Sequence, residues 1–268
     1  MLLTACDDGY LSEAEVLIKS CAKYEPAQRF YLFLVSSDLA LESLVKAWHP
    51  NIIIDRVARP YSRGLRSGML FCVRSIALRK ALEIYREPTV YLDSDTLLRG
   101  ELRDVFKDLE TFDLMVKYRP HLKHFGVAGT PYGSTFNSGV IAVRPSAAGI
   151  RFARGYDRRL QGLVASERPL TRYQEDIKIK FVVDQELLYV TYLDFRDELL
   201  FKALPDRFND ARFGSDSIVW HGKGTARTDP RYVLEKLRYS NRFLFCPFSV
   251  YVSFWNFLRS IKHKLILE

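Results

Sequence analysis

Residues 89–100 read TVYLDSDTLLRG. A short apolar run of strand length ends in Asp93 and Asp95, two carboxylates separated by one residue. In an extended chain residues i and i+2 point to the same side, so both carboxylates can converge on one cation. The other reading is a pair of solvated turn residues.

The segments before this stretch set its context. Leu2 to Cys6 is apolar enough for a short buried strand. Ser12 followed by Glu15 has the spacing of a capping box, and Ala14, Leu17, Ile18 and Cys21 follow at helical spacing. FYLFLV (30–35) and NIIIDRV (51–57) read as strands, with a helical segment at about 39–48 between them. Val73, Ile76, Ala77, Ala81 and Ile84 mark a helix leading into the quoted strand. Buried strands alternating with helices predict an α/β, Rossmann-like domain: a mostly parallel central sheet with helices on both faces. Such sheets bind ligands at the carboxyl ends of their strands. Asp7 and Asp8 follow the first strand, and Asp93, Ser94 and Asp95 follow the fourth. Both acidic groups are therefore expected on one rim.

The second half is less regular. DLMVKY (113–118) reads as a strand. Residues 126–133 form a Gly-rich loop without the G-K-[ST] of a phosphate-binding P-loop. FNSGVIAV (136–143) reads as a polar turn and an apolar run. VVDQELL (182–188) and IVWHGKGTAR (218–227) follow. There is no internal repeat and no low-complexity linker.

With 268 residues, 48% of them apolar, the chain can bury a sizeable core. A net charge of +8 favours phosphate-bearing ligands or anionic lipid. Without Lys/Arg tail blocks, zinc-finger spacing or an RNP-like pattern, nucleic acid is not expected as a partner. The four cysteines, Cys6, Cys21, Cys72 and Cys246, are scattered and read as reduced core residues of a cytoplasmic protein. The first residues run into Asp7 and Asp8 without a basic n-region or long apolar stretch, so neither a signal peptide nor an N-terminal anchor is expected.

Taken in order, YLDSDTLL (91–98), FNSGVIAV (136–143), DQELL (184–188) and HGKGTAR (221–227) resemble the metal-dependent GT-A glycosyltransferases. The resemblance runs from about Leu2 to Arg227. It is strongest to the retaining family of glycogenin and the bacterial lipopolysaccharide galactosyl- and glucosyltransferases. It implies transfer of a hexose from a nucleoside-diphosphate sugar, a UDP-sugar, to a glycan or lipid-linked acceptor. It also implies Asp93, Asp95 and His221 as ligands of Mn2+ or Mg2+. The chemistry is apt: such ions take oxygen ligands, manganese tolerates imidazole, and a divalent ion offsets charge developing on a diphosphate leaving group.

The family's H-x-x-G-x-x-K pattern, whose Gly and Lys meet the diphosphate, is matched by His221, Gly224 and Arg227. Arg227 departs from the usual Lys, and the Pro-Trp that follows in the family is absent here. Arginine keeps the charge and grips phosphate bidentately. Lys223 is an extra cation beside it. Asp7, Asp8 and Ser94 fall where the family holds the nucleotide. Arg74, with Arg79 as competitor, falls where it often has a basic residue; a solvated helix face is the ordinary place for either arginine. Asn137 would place an amide against sugar hydroxyls, or belong to a simple turn. Asp184 and Gln185 would lie at the reaction face. Asp184 would orient the donor or act as nucleophile, and the choice between a covalent intermediate and front-face attack stays open.

The chain is expected to divide into a catalytic domain (1–235) and an aromatic, basic helical tail (236–268). Residues 243–258 carry no charge in sixteen positions, and Arg259, Lys262, His263 and Lys264 follow. That run is shorter than the ~20 residues of a spanning helix. Tyr251, Phe254, Trp255, Leu258, Ile261 and Leu265 share one helical stripe, which suits either a membrane-surface helix at the inner face or packing on the protein body. Two rival functions remain: a sugar-nucleotide nucleotidyltransferase, and a noncatalytic module binding membrane or nucleic acid. The first would need an N-terminal Gly-rich loop with a Lys, which CDDGYLSEAE (6–15) lacks.

Overall fold

The computed structural model describes residues 1–58, 66–122, 132, 135–165 and 183–240, with side chains left out at 66–72, 163–165, 183 and 225. The Gly-rich loop, except Tyr132, lies outside the described residues. So do the side chain of Cys72 and the tail from residue 241 onward.

The first half alternates as its hydrophobic pattern dictates. β1 (Leu2–Asp7), α1 (Leu11–Tyr24), β2 (Phe30–Val35), α2 (Leu41–Lys46), β3 (Ile52–Val57), α3 (Arg66–Tyr85) and β4 (Thr89–Leu92) follow in turn. Then come β5 (Thr96–Leu98), α4 (Arg103–Asp108), β6 (Leu114–Tyr118), β7 (Phe136–Val143) and α5 (Ala147–Ala165). The remaining elements are α6 (Val183–Phe195), β8 (Phe201–Ala203), β9 (Val219–His221) and α7 (Pro230–Ser240). Short 3-10 turns at Asp206–Phe208 and Gly224–Thr228 flank β9.

Seven strands form one sheet in the order β3-β2-β1-β4-β7-β6-β8. β3, β2, β1 and β4 are parallel, while β7 runs antiparallel to both β4 and β6. β5 and β9 make a separate antiparallel ribbon. The α/β arrangement is thus mostly parallel with one reversed strand near its middle. That reversal matters for the site: it brings the start of β7 to the carboxyl end of β4, where Leu92 pairs with Val140.

Side-chain alternation along each strand feeds two cores. Leu2, Phe30, Leu32 and Leu34 pack with Ala14, Leu17, Ile18 and Cys21 of α1 on one face. Leu3, Tyr31, Phe33 and Tyr91 pack with Val73, Ala77 and Ala81 of α3, and with α5 and α6, on the other. Burial on both faces is why β2 reads as an unbroken apolar run. Cys6 and Cys21 are buried free thiols, and burial raises both pKa values. No described helix is long and apolar enough to cross a membrane.

Three local expectations are corrected. The Ser12 capping box does not form: α1 starts at Leu11, two residues earlier than a Ser12 cap requires, Tyr10 is the N-cap, and no side chain caps the helix. Glu15 pairs along the helix with Lys19, and the chain is led in by a turn in which the Gly9 N–H donates to Asp7 Oδ1 (2.9 Å). Ile84, expected on the inward stripe of α3, is 61% exposed beside the helix end. Asn137, Ser138 and Gly139 are not a turn before a strand; they lie within β7, buried from end to end.

Candidate functional site

Asp93 and Asp95 converge, but by a turn and not by strand alternation. The chain leaves β4 at Leu92, and the Thr96 N–H and Oγ1 both donate to the Asp93 carbonyl (2.9 and 2.7 Å). The turn is pinned from outside as well. The Asp93 N–H donates to the Gly139 carbonyl (2.9 Å), and the Asp95 carbonyl accepts from the Gly222 N–H (2.8 Å) and the Tyr232 hydroxyl (2.7 Å).

The β5–β9 ribbon delivers the third member. Thr96 pairs with His221, so the imidazole stands directly across from the acidic turn. His221 Nε2 lies 3.4 Å from Asp95 Oδ1 and 3.7 Å from Asp93 Oδ2. Ligand atoms of Asp93, Asp95 and His221 all fall within 4.8 Å of one another, a group that could hold a metal ion. Two carboxylates and one imidazole fit a divalent cation of the manganese type. The close approach needs a glycine: a Cβ on Gly139 would sit 2.2 Å from the His221 ring.

A second buried cluster adjoins the first. Arg74 of α3 is 8% exposed. Its Nη2 lies 2.9 Å from Asp93 Oδ1, and its Nη1 donates to Asp184 Oδ2 (2.7 Å) and Ser138 Oγ (2.7 Å). Ser138 Oγ in turn donates to Asp184 Oδ2 (2.6 Å). Burial opposes the charge of Arg74, but Asp184 and Asp93 more than restore it and raise its pKa. The solvated helix face expected for this arginine is therefore not where it sits. Arg79 is the residue that takes that place, bound to Asp157 (2.6 Å) and Glu83 (2.8 Å) away from the site.

These neighbours split the two acids. Burial raises the Asp93 pKa, only partly offset by Arg74. Burial also works against Asp95, but the neighbouring His221 and the Arg227 guanidinium, which donates to it at 2.6 Å, outweigh it and hold its carboxyl well below the usual range.

The other sequence-expected residues are placed as follows. Gln185 is buried in the first turn of α6, and its Oε1 accepts from Lys223 Nζ (3.2 Å). Burial lowers the Lys223 pKa. Gly224 has φ +57, a conformation natural to glycine, and opens the 3-10 turn that carries Arg227. Arg227 donates to Asp95 Oδ2 (2.6 Å) and the Gly222 carbonyl (2.8 Å), so its charge faces the acidic turn. Asp7 is buried at the end of β1 and Asp8 is exposed beside it, on the rim shared with β4. Ser94 is half-buried between the two acids. Asn137 is buried, and its Oδ1 accepts from the Gly139 N–H (3.0 Å) and Asn209 Nδ2 (3.1 Å).

Sequence reasoning missed Asn209, Tyr232 and Arg119. Asn209 touches His221, and Tyr232 anchors the acidic turn. Arg119 binds the Phe136 carbonyl (3.0 Å) at the head of β7. None sits in a motif, and Asn209 and Tyr232 reach the site only through the β5–β9 ribbon and α7.

No protein-family model matches the chain, and no curated protein matches it. Solved structures do. One is a galactosyltransferase, LgtC, in complex with donor and acceptor sugar analogues: 18% identity, TM-score 0.56, covering 90% of this chain and 96% of that one. Another is the glycosyltransferase GlyE of Streptococcus pneumoniae TIGR4, at 18% identity and TM-score 0.57; it covers 97% of this chain, which spans 63% of GlyE. A third is mouse xyloside xylosyltransferase 1, at 14% identity and TM-score 0.50, covering 84% of this chain and 98% of that one. At these identities the likeness is one of fold. The chain has the α/β GT-A fold that its motifs resemble.

Proposed function

We propose that the chain is a metal-dependent glycosyltransferase. It would move a hexose from a UDP-sugar to a glycan or lipid-linked acceptor, with retention at the anomeric carbon. The observation that carries this reading is the convergence of Asp93, Asp95 and His221 beside the buried Arg74–Asp184 pair. Asp93, Asp95 and His221 would hold Mn2+ or Mg2+, which when bound offsets charge on the diphosphate of the donor.

The chain's own residues then divide the work. Lys223 and Arg227 supply positive charge on the side of the 3-10 turn, where the departing diphosphate gains charge as the bond from anomeric carbon to phosphate oxygen breaks. Asp7, Asp8 and Ser94 line the rim for the nucleoside. Asp184 has one oxygen bound by both Arg74 and Ser138, which suits holding a sugar hydroxyl better than attacking carbon. Gln185, beside Lys223, would face the acceptor side. This favours front-face attack: the acceptor oxygen bonds to the anomeric carbon, and its proton passes to the departing phosphate oxygen.

The test is a panel of nucleotide sugars with manganese, scored for release of nucleoside diphosphate. Release from one UDP-sugar, abolished by a chelator, is expected. No release from any donor, with no metal-dependent UDP binding, would overturn the reading.

A lipid-linked acceptor would make membrane contact useful. The uncharged aromatic run at 243–258 and the basic residues Arg259, Lys262 and Lys264 are suited to an anionic surface. Co-sedimentation with anionic liposomes should weaken but persist at high salt, and truncation after Arg242 should remove it. Full-length protein that ignores liposomes would retire this part alone.

A further inference from the structure

We propose that Asn209 and Asn137 are positioning residues that fix His221 as its Nδ1–H tautomer and aim the Nε2 lone pair at Asp93 and Asp95. The proposal rests on the metal-site reading above.

The chain of bonds starts at a group with no choice of direction. The backbone N–H of Gly139 can only donate, so the atom 3.0 Å from it must be the carbonyl oxygen of the Asn137 amide. That oxygen and the Asn137 backbone carbonyl both face the Asn209 amide, at 3.1 and 3.4 Å. Two acceptors demand a donor, so Asn209 presents its NH2 there. Its Oδ1 is then the atom 2.9 Å from His221 Nδ1, and Nδ1 must carry the proton. In a neutral ring Nε2 is left as a bare acceptor.

That acceptor points at two more. Nε2 is 3.4 Å from Asp95 Oδ1 and 3.7 Å from Asp93 Oδ2, with His221 only 3% exposed. Three electron-rich atoms facing one another in a buried site are stabilised by a cation between them. Water cannot replace the relay easily, since Asn209 is 1% and Asn137 6% exposed. Asn209 is itself held, its backbone carbonyl accepting from Lys117 Nζ (3.0 Å).

Strand alternation explains the division of labour in β7. Asn137 and Gly139 point to one side, and both serve His221. Ser138 points to the other and serves Arg74 and Asp184. The resemblance assigns the Asn137 amide to sugar hydroxyls; the geometry adds an orienting role for its carbonyl oxygen, exerted through Asn209.

Calorimetry of Mn2+ binding to the protein alone tests this without turnover. Asn209→Leu removes the acceptor for Nδ1–H at similar volume, and affinity should fall by about 10–100-fold. Asn209→Asp keeps an acceptor for Nδ1–H but sets a second oxygen against the two Asn137 carbonyls at 3.1 and 3.4 Å, so only part of that loss should return. Equal affinity for Asn209→Leu and the parent would overturn the proposal. If the parent binds no Mn2+, the metal reading fails instead. The tautomer is then read separately from 15N imidazole shifts of the parent at alkaline pH, with His221→Gln giving the assignment. A proton on Nδ1 is expected; a bare Nδ1 with Nε2–H overturns the proposal, even if Asn209→Leu does not fold.

Discussion

Arg74 and Asp184 are 110 residues apart in the chain and 2.7 Å apart in the fold. The same guanidinium reaches Asp93 at 2.9 Å, so one cation ties the candidate metal group to the first turn of α6. Both partners are almost wholly buried. Arg74 therefore acts on two levels: it neutralises two carboxylates that would otherwise repel, and it fixes α6 against β4 and β7.

Removing one partner of such a pair leaves an unpaired buried charge. Arg74→Ala should destabilise the fold by about 3–5 kcal/mol in urea unfolding. Adding Asp184→Ala should return part of that loss, because one of the stranded carboxylates is gone. Strictly additive losses would mean that the two residues are not energetically coupled.

The sheet was legible in the sequence because burial writes it directly: FYLFLV is apolar at every position and buried at every position. Asp93 and Asp95 were legible because carboxylates past the end of a buried strand have few structural duties. Arg74 was not, since a helix surface is the usual place for an arginine and only the approach of α6 and β7 makes this one internal. Asn209 was invisible for a related reason. Its partners Asn137 and His221 come from β7 and β9, and no local pattern announces a contact that only tertiary assembly creates. The capping box misled because Ser12 already lies inside α1, which starts at Leu11, and Glu15 pairs with Lys19 instead.

Asp95→Ala should separate chemistry from stability. The backbone bonds that pin the turn, from Gly222 and Tyr232 to the Asp95 carbonyl, survive the change. The side chain loses only half-exposed Arg227 and the approach of His221. Metal-dependent release of nucleoside diphosphate should fall by roughly 10²-fold or more. The loss of the Arg227 pairing is offset by relief of the repulsion between Asp95 and buried Asp93, so the Tm should move by only about 2–4 °C. Near-normal turnover with manganese bound normally would remove Asp95 from the metal group.

Asp113 sets an acid limit on stability. Burial raises its pKa, but Ser146, the Leu200 N–H and Arg144 bond the charged form and the net direction is down from 3.8. A group depressed in the folded state contributes stability above its unfolded pKa and loses it as pH falls through the folded value. The effect is therefore full at neutral pH and fades only in the acid range below 3.8. Asp113→Asn should cost about 1.5–3 kcal/mol at pH 7 and flatten the acid limb of a stability–pH profile. An unchanged limb would assign that loss to other carboxylates.

Gly139→Ala tests the packing of the site against its chemistry. The added methyl would meet His221 Cε1 at 2.2 Å and Nδ1 at 2.3 Å, inside any tolerable contact. Backbone escape is blocked on that side, because the Gly139 carbonyl holds the Asp93 N–H and its own N–H is bound to Asn137. The imidazole must move instead, and the bond between Nδ1 and Asn209 goes with it. Overpacking of this kind costs about 1–3 kcal/mol, and Mn2+ affinity should drop together with stability. In a His221→Ala background the clash is gone, so the same Gly139→Ala change should cost little further stability. Metal affinity, already lost with the ligand, should not return. If Gly139→Ala destabilises both backgrounds equally, the glycine answers to β7 backbone geometry and not to the histidine ring.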